Sequence, residues 1–185
     1  MGLFSFFSKN DDAIDEAKNE ADLELLAPVS GTLVPLGEVP DLVISEKLIG
    51  DGIAIIPDDS QILAPCSGIV SRLVASNNAF AIRTETGIEV YVTFGIGTSN
   101  FSGEGLSSNV GIGDKVETGT PIINIDINNV SDQLESTITS MIVVNSSAPI
   151  ARVISASGKV VAGQTPCTWV ILDLNFASID RDKIK

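Results

Sequence analysis

A six-residue turn occurs twice in this chain, as Leu26-Ala-Pro-Val-Ser-Gly31 and again as Leu63-Ala-Pro-Cys-Ser-Gly68. In each copy proline fixes φ and glycine permits positive φ, so each reads as strand, tight turn, strand. A second unit is doubled as well: Lys115-Val-Glu-Thr-Gly119 and Lys159-Val-Val-Ala-Gly163, each followed closely by a proline. A repeated strand-turn unit predicts a duplicated sandwich in which each copy covers the apolar face of the other. β-Branched residues outnumber strong helix formers through the middle, and Gly, Pro, Asn and Asp punctuate short apolar runs. Ile53–Pro57, Ile69–Val74 and Ile88–Val92 are the clearest strands. The body therefore reads as all-β, an antiparallel β-sandwich or barrel with one or two short helices. Its one helical candidate is 131–136, where Ser131 caps the first turn and Asp132 and Glu135 favour its positive end.

Composition divides the chain into three parts: residues 1–22, a body over 23–175, and a polar extension over 176–185. The first part holds three of the seven phenylalanines and then turns acidic from Asn10 to Asp22. As a helix it would place Leu3, Phe4 and Phe7 on one face. It is too short and too acidic for a signal peptide, and Phe6 breaks the myristoylation pattern. Two readings stay open, a flexible tail and an amphipathic foot touching a membrane surface. On either reading, deleting 1–22 is expected to leave thermal stability nearly unchanged.

No apolar run approaches the roughly 20 residues that cross a bilayer. The net charge of −13 argues against nucleic acid and suits basic partners. Cys66 and Cys167 stand alone, without CxxC spacing, and read as buried small hydrophobes; whether they pair is not legible from sequence. With no histidine in 185 residues and two isolated cysteines, a structural zinc site and every Ser-His or Cys-His constellation drop out, and no EF-hand loop marks a carboxylate calcium site. Gly113-Asp-Lys-Val-Glu-Thr-Gly-Thr-Pro121 resembles half of a biotinyl or lipoyl carrier motif. The carrier lysine triplet is missing, however, and the turn reading prevails, so no cofactor is expected. Gly111-Ile-Gly113 and Ser157-Gly-Lys159 lack the spacing of a phosphate-binding loop.

The segment Gly87-Ile-Glu-Val-Tyr-Val-Thr-Phe-Gly-Ile-Gly-Thr98 carries a more specific resemblance. Together with Glu38–Val43, Glu46–Gly52, Leu63–Pro65, Gly103–Gly105 and Ser136–Thr139, it resembles the glucose-type enzyme IIA family of the bacterial sugar phosphotransferase system. That resemblance implies the duplicated hybrid type of β-sandwich, with a shallow site on one sheet. It also implies phosphate passed from the carrier HPr to the IIB domain of a sugar permease, and regulation of other proteins by binding. In that family the position of Thr93 is the phosphate-accepting histidine, and a second histidine stands where this chain has Asn78. A threonine hydroxyl is a weak nucleophile without a base beside it, and an amide is no base. Acidic residues usual in the family are replaced at Gly97 and Arg83, the latter reversing a charge near the site.

By the same resemblance Asp41, Val43, Ile44, Ser76, Phe80 and Tyr91 form a partner-binding patch, with Phe94 also keeping family-like chemistry. Strand alternation places Tyr91 and Thr93 on one face and Phe94 on the other. The expectation is a non-phosphorylatable regulatory homologue, inactive in phosphotransfer and cytoplasmic. It would bind an HPr-like protein, a permease IIB domain or a regulated transporter or enzyme. A Met-Gly-Leu-Phe start, also seen in the family, favours peripheral membrane contact through the N-terminus. The alternatives are a phosphocarrier that uses a non-histidine residue, and a diverged sandwich serving an interaction unrelated to sugar transport.

Overall fold

The computed structural model describes residues 4–173. Its strands run β1 (Leu23–Leu26), β2 (Gly31–Pro35), β3 (Gly50–Pro57), β4 (Gln61–Leu63), β5 (Gly68–Leu73), β6 (Ala79–Arg83) and β7 (Glu89–Ile96). They continue as β8 (Leu106–Ser108), β9 (Lys115–Val116), β10 (Pro121–Ile125), β11 (Ser136–Val144), β12 (Ile150–Ser155), β13 (Gly158–Val160) and β14 (Pro166–Leu172). Eight of them form one sheet in the order β13-β2-β3-β11-β7-β6-β5-β9, and two three-stranded sheets, β1-β14-β12 and β4-β10-β8, complete the sandwich. Every pairing between them is antiparallel.

The doubled motifs occupy equivalent places. Leu26 N–H donates to Pro65 O at 3.0 Å, and Leu63 N–H returns the bond to Pro28 O at 2.7 Å. Gly119 N–H reaches Ala64 O as Gly163 N–H reaches Ala27 O. Lys159–Val160 lies against Gly31 at one edge of the large sheet, and Lys115–Val116 against Gly68 at the other. Glycine is obligatory at the end of each turn for one reason: a Cβ on Gly31 or Gly68 would strike the carbonyl of Ile56 or Arg83 on the neighbouring strand.

Between the sheets lies a continuous apolar core that includes Leu25, Ile55, Ile62, Phe80, Val92, Phe94, Ile122, Met141 and Val170. Each large side chain removed from water there contributes about 1.5–3 kcal/mol. A second, smaller cluster sits on the outer face of the large sheet. There Leu36, Val39 and Ile44 cover Ala54, Ile96 and Ile142. The short helix α2 (Leu42–Ser45) belongs to this cover, and the Asp41 carboxylate caps it by accepting from Val43 N–H at 2.9 Å and Ile44 N–H at 3.1 Å.

Helix content departs from expectation at two places. Residues Phe4–Glu20 form a 17-residue helix, αN. Its C-terminal half is fixed to the outer face of β12 and β14: Ala17 is fully buried, and the Lys18 ammonium lies 5.8 Å from the centre of the Trp169 ring. Glu20 also pairs with Arg152 at 3.1 Å. The foot reading rests on Leu3 and on the side chains of Phe4, Phe6 and Phe7, which lie outside what is described. The helical turn sought at 131–136 starts earlier, as Ile127–Val130, followed by a 3-10 turn over Ser131–Gln133. Buried Val130 anchors it, and Asp126 accepts its first backbone bonds, so Leu134 is already extended.

Candidate functional site

Thr93 lies at the middle of the large sheet, on the outer face. It is paired with Ala79 of β6 on one side and Ser140 of β11 on the other. The same row continues through Ala54 to Val34, so the floor around Thr93 is made of small side chains. The alternation read from sequence holds here: Val90, Val92 and Phe94 are buried in the core, while Tyr91 and Thr93 are half-buried on the outer side.

Asn78 enters from the loop before β6 and is almost fully buried. Its side-chain amide donates to Phe94 O at 3.4 Å and its amide oxygen accepts from Ser76 Oγ at 2.5 Å. The backbone closes the arrangement, with Phe94 N–H donating to Asn78 O at 2.7 Å. Gly103 (φ 90°) allows the following loop to press on this turn, since a Cβ there would strike Ser76 O. The Asn78 side chain is therefore held by a hydroxyl and a main-chain carbonyl. Beside Thr93, Ser140 Oγ is buried and has no hydrogen-bond partner among the described residues.

The patch predicted for partner binding is only partly on the surface. Val43 is exposed, and Asp41, Ser76 and Tyr91 are half-buried. Phe80 points into the main core and is fully enclosed, because it alternates with outward-facing Ala79 and Ala81. Ile44 packs in the outer cluster on Ala54 and Ile142. Both of those residues have a packing role in place of the contact role expected from sequence. Leu42, which sequence reasoning passed over, is 72% exposed beside Val43.

The two charge departures also resolve differently. Arg83 faces Glu89 at the far end of β6, about 13 Å from Ala79 at strand spacing, and its guanidinium bonds Glu89 at 2.8 Å. Its charge is spent there and not at Thr93. Gly97 has φ 77°, and the volume beside it is filled by Glu135. Sequence reasoning gave Glu135 a role at the positive end of a helix; its neighbour is set by the pairing of β7 with β11. Among the described residues no group of three His, Cys, Asp or Glu side chains is placed to hold a metal ion. Cys66 and Cys167 are both buried and free, and burial pushes each thiol up to about 12.

Comparison with known proteins agrees with this architecture. Residues 23–148 match the family described as phosphoenolpyruvate-dependent sugar phosphotransferase system, EIIA 1. The chain is 38% identical over 146 residues to a glucose-specific EIIA component of Borreliella burgdorferi, covering 79% of this chain and 72% of that one. It is 34% identical over 167 residues to the glucose-specific EIIA component of Haemophilus influenzae, covering 89% and 96%. Among solved structures, glucose permease IIA from Mycoplasma capricolum superposes with a TM-score of 0.72 at 31% identity, over 79% of this chain and 94% of that one. With the family match spanning most of the sandwich, the chain belongs to the EIIA type 1 family of the phosphoenolpyruvate-dependent sugar phosphotransferase system.

Proposed function

We propose that this protein acts in sugar-transport regulation by binding other proteins, without carrying phosphate itself. The observation that supports this most is the chemistry around Thr93. Its hydroxyl has small side chains and the buried Ser140 hydroxyl beside it, and the nearby Asn78 nitrogen is an amide occupied by Phe94 O. Phosphoryl transfer through this site needs a nitrogen nucleophile, or a hydroxyl with a base at hydrogen-bonding distance. A phosphothreonine ester would in any case be too stable to hand its group onward. The docking face is then permanently in the state that an unphosphorylated relative reaches only part of the time. The partners that fit the family are an HPr-like protein, a permease IIB domain or a transporter or enzyme under its control.

Incubation with phosphoenolpyruvate, enzyme I and HPr tests the reading directly. The expected result is no acid-labile phosphate on this chain. A stoichiometric phosphoryl group that passes on to a IIB domain would overturn it and would establish a phosphocarrier working through another residue.

A further inference from the structure

At the end of β7 a side chain from another segment fills the space beside a glycine. Gly97 follows β7 at φ 77°, and a Cβ there would lie 2.6 Å from Cγ and 2.9 Å from Cδ of Glu135. Glu135 thus fills the volume that a side chain at 97 would require. Its main chain is fixed as well, since its N–H donates to Ile96 O at 2.9 Å and the next residue, Ser136, pairs with Ile96. Ile96 in turn packs with Ile44 in the outer cluster. The Glu135 side chain is therefore exposed and lies beside Gly97, with its backbone anchored on β7. Leu42 and Val43 are presented to solvent by the helix whose Ile44 shares the outer cluster with Ile96.

The charge around it has one sign. The segments that cover the outer cluster or adjoin the ends of β6, β7 and β11, namely 36–46, 76–78, 97–105 and 131–136, contain Glu38, Asp41, Glu46, Glu104, Asp132 and Glu135 and no lysine or arginine. Lys47, next along the chain, is engaged with Asp51 at 2.8 Å. In the row with Thr93, the 1% exposed Ser140 hydroxyl has no hydrogen-bond partner among the described residues. An apolar helix and surrounding segments of one charge sign fit a protein with a basic side chain set among apolar ones.

We propose that Glu135 is a specificity-determining residue of this face, positioned by the gap at Gly97 to meet a lysine or arginine of a partner whose apolar surface covers Leu42 and Val43. This rests on the protein-docking reading of the site. A rim charge of this kind governs association rate and salt dependence more than the lifetime of the complex.

The test is calorimetric and kinetic titration of the full chain with HPr and with a permease IIB domain, at low and high salt. Glu135→Gln is expected to weaken binding about 3- to 10-fold at low salt, mainly through slower association, with the effect shrinking as salt rises. Glu135→Lys should lose more. Gly97→Asp alone should bind more weakly, because the new side chain displaces Glu135 from its place. Gly97→Asp combined with Glu135→Ala should return affinity to within about twofold, since aspartate tolerates positive φ and restores the charge. Val43→Glu serves as the control for docking itself, with circular dichroism and thermal unfolding checking each variant's fold. If Val43→Glu abolishes binding while Glu135→Gln and Glu135→Lys leave it unchanged, the role of Glu135 is refuted and docking stands. If none of the variants matters, or neither protein binds, both readings fall.

Discussion

Ser140 shows what a single side chain can reveal when its accounting does not close. A hydroxyl buried without a partner forfeits its hydration, at a cost of about 1–3 kcal/mol. Ser140→Ala removes that liability with a minor loss of volume and is expected to stabilise the free protein by about 1 kcal/mol. Urea unfolding monitored at the single tryptophan checks this; equal or lower stability would mean that the hydroxyl is satisfied in solution. At Asn78 the constraint is steric as well as chemical, because the residue is 7% exposed and held by Ser76 and Phe94 O. Asn78→His with Thr93→His should therefore recover at most partial phosphate transfer from HPr, even though both imidazoles are restored. Full transfer would show that the loop relaxes freely around a larger ring.

Among the elements, αN departs furthest from the flexible segment expected from sequence. One turn of it is fixed to the sandwich by buried Ala17, by Lys18 over Trp169 and by Glu20 with Arg152. Trp169 is 2% exposed and bonds Glu24 Oε2 at 3.0 Å, so its indole reports on this contact. Deleting residues 1–22 uncovers one face of the ring. The expected result is a red shift of Trp169 emission and a stability loss of about 1–2 kcal/mol, summing one small buried side chain and a cation–π contact. The exposed Glu20–Arg152 pair adds little. An unchanged spectrum and melting temperature would mean that 1–22 contributes nothing to the sandwich, as both readings from sequence expected. Because αN lies on β12 and β14, across the core from Thr93, a membrane contact through its N-terminal half would leave the outer face around Thr93 open to partners. Among the described residues no helix is long and apolar enough to cross a bilayer.

At the scale of the whole molecule, the two cysteines couple stability to alkaline pH. Both thiols rise from 9.0 to about 12 because burial disfavours the thiolate. Between those values the unfolded chain releases protons that the folded chain retains, so stability is full below pH 9 and declines as pH rises toward 12. Replacing both by Ala or Val should flatten that decline in urea midpoints measured from pH 8 to 11. In the native state at neutral pH neither thiol should react with a disulfide reagent except through unfolding. Fast stoichiometric labelling would contradict the burial of both. The net charge of −13 acts over the same scale, and binding to a basic partner should weaken steeply with salt.

The sequence by itself determined the duplicated β-architecture, because its repeats write out the same turn twice and proline fixes its own backbone without distant information; the need for Gly31 and Gly68 comes from the neighbouring strand. It also determined the facing of Tyr91, Thr93 and Phe94, since side chains alternate along any strand. The absence of imidazole is likewise a property of the sequence alone. What only the tertiary structure decided depends on which strands are neighbours. Phe80 and Ile44 look like surface apolar residues until the core and the 36–46 cover enclose them. Arg83 looks like a charge at the site until strand pairing sets it opposite Glu89. Glu135 and Gly97 are 38 positions apart, and nothing local to either says that one fills the space of the other; the pairing of β7 with β11 brings them together.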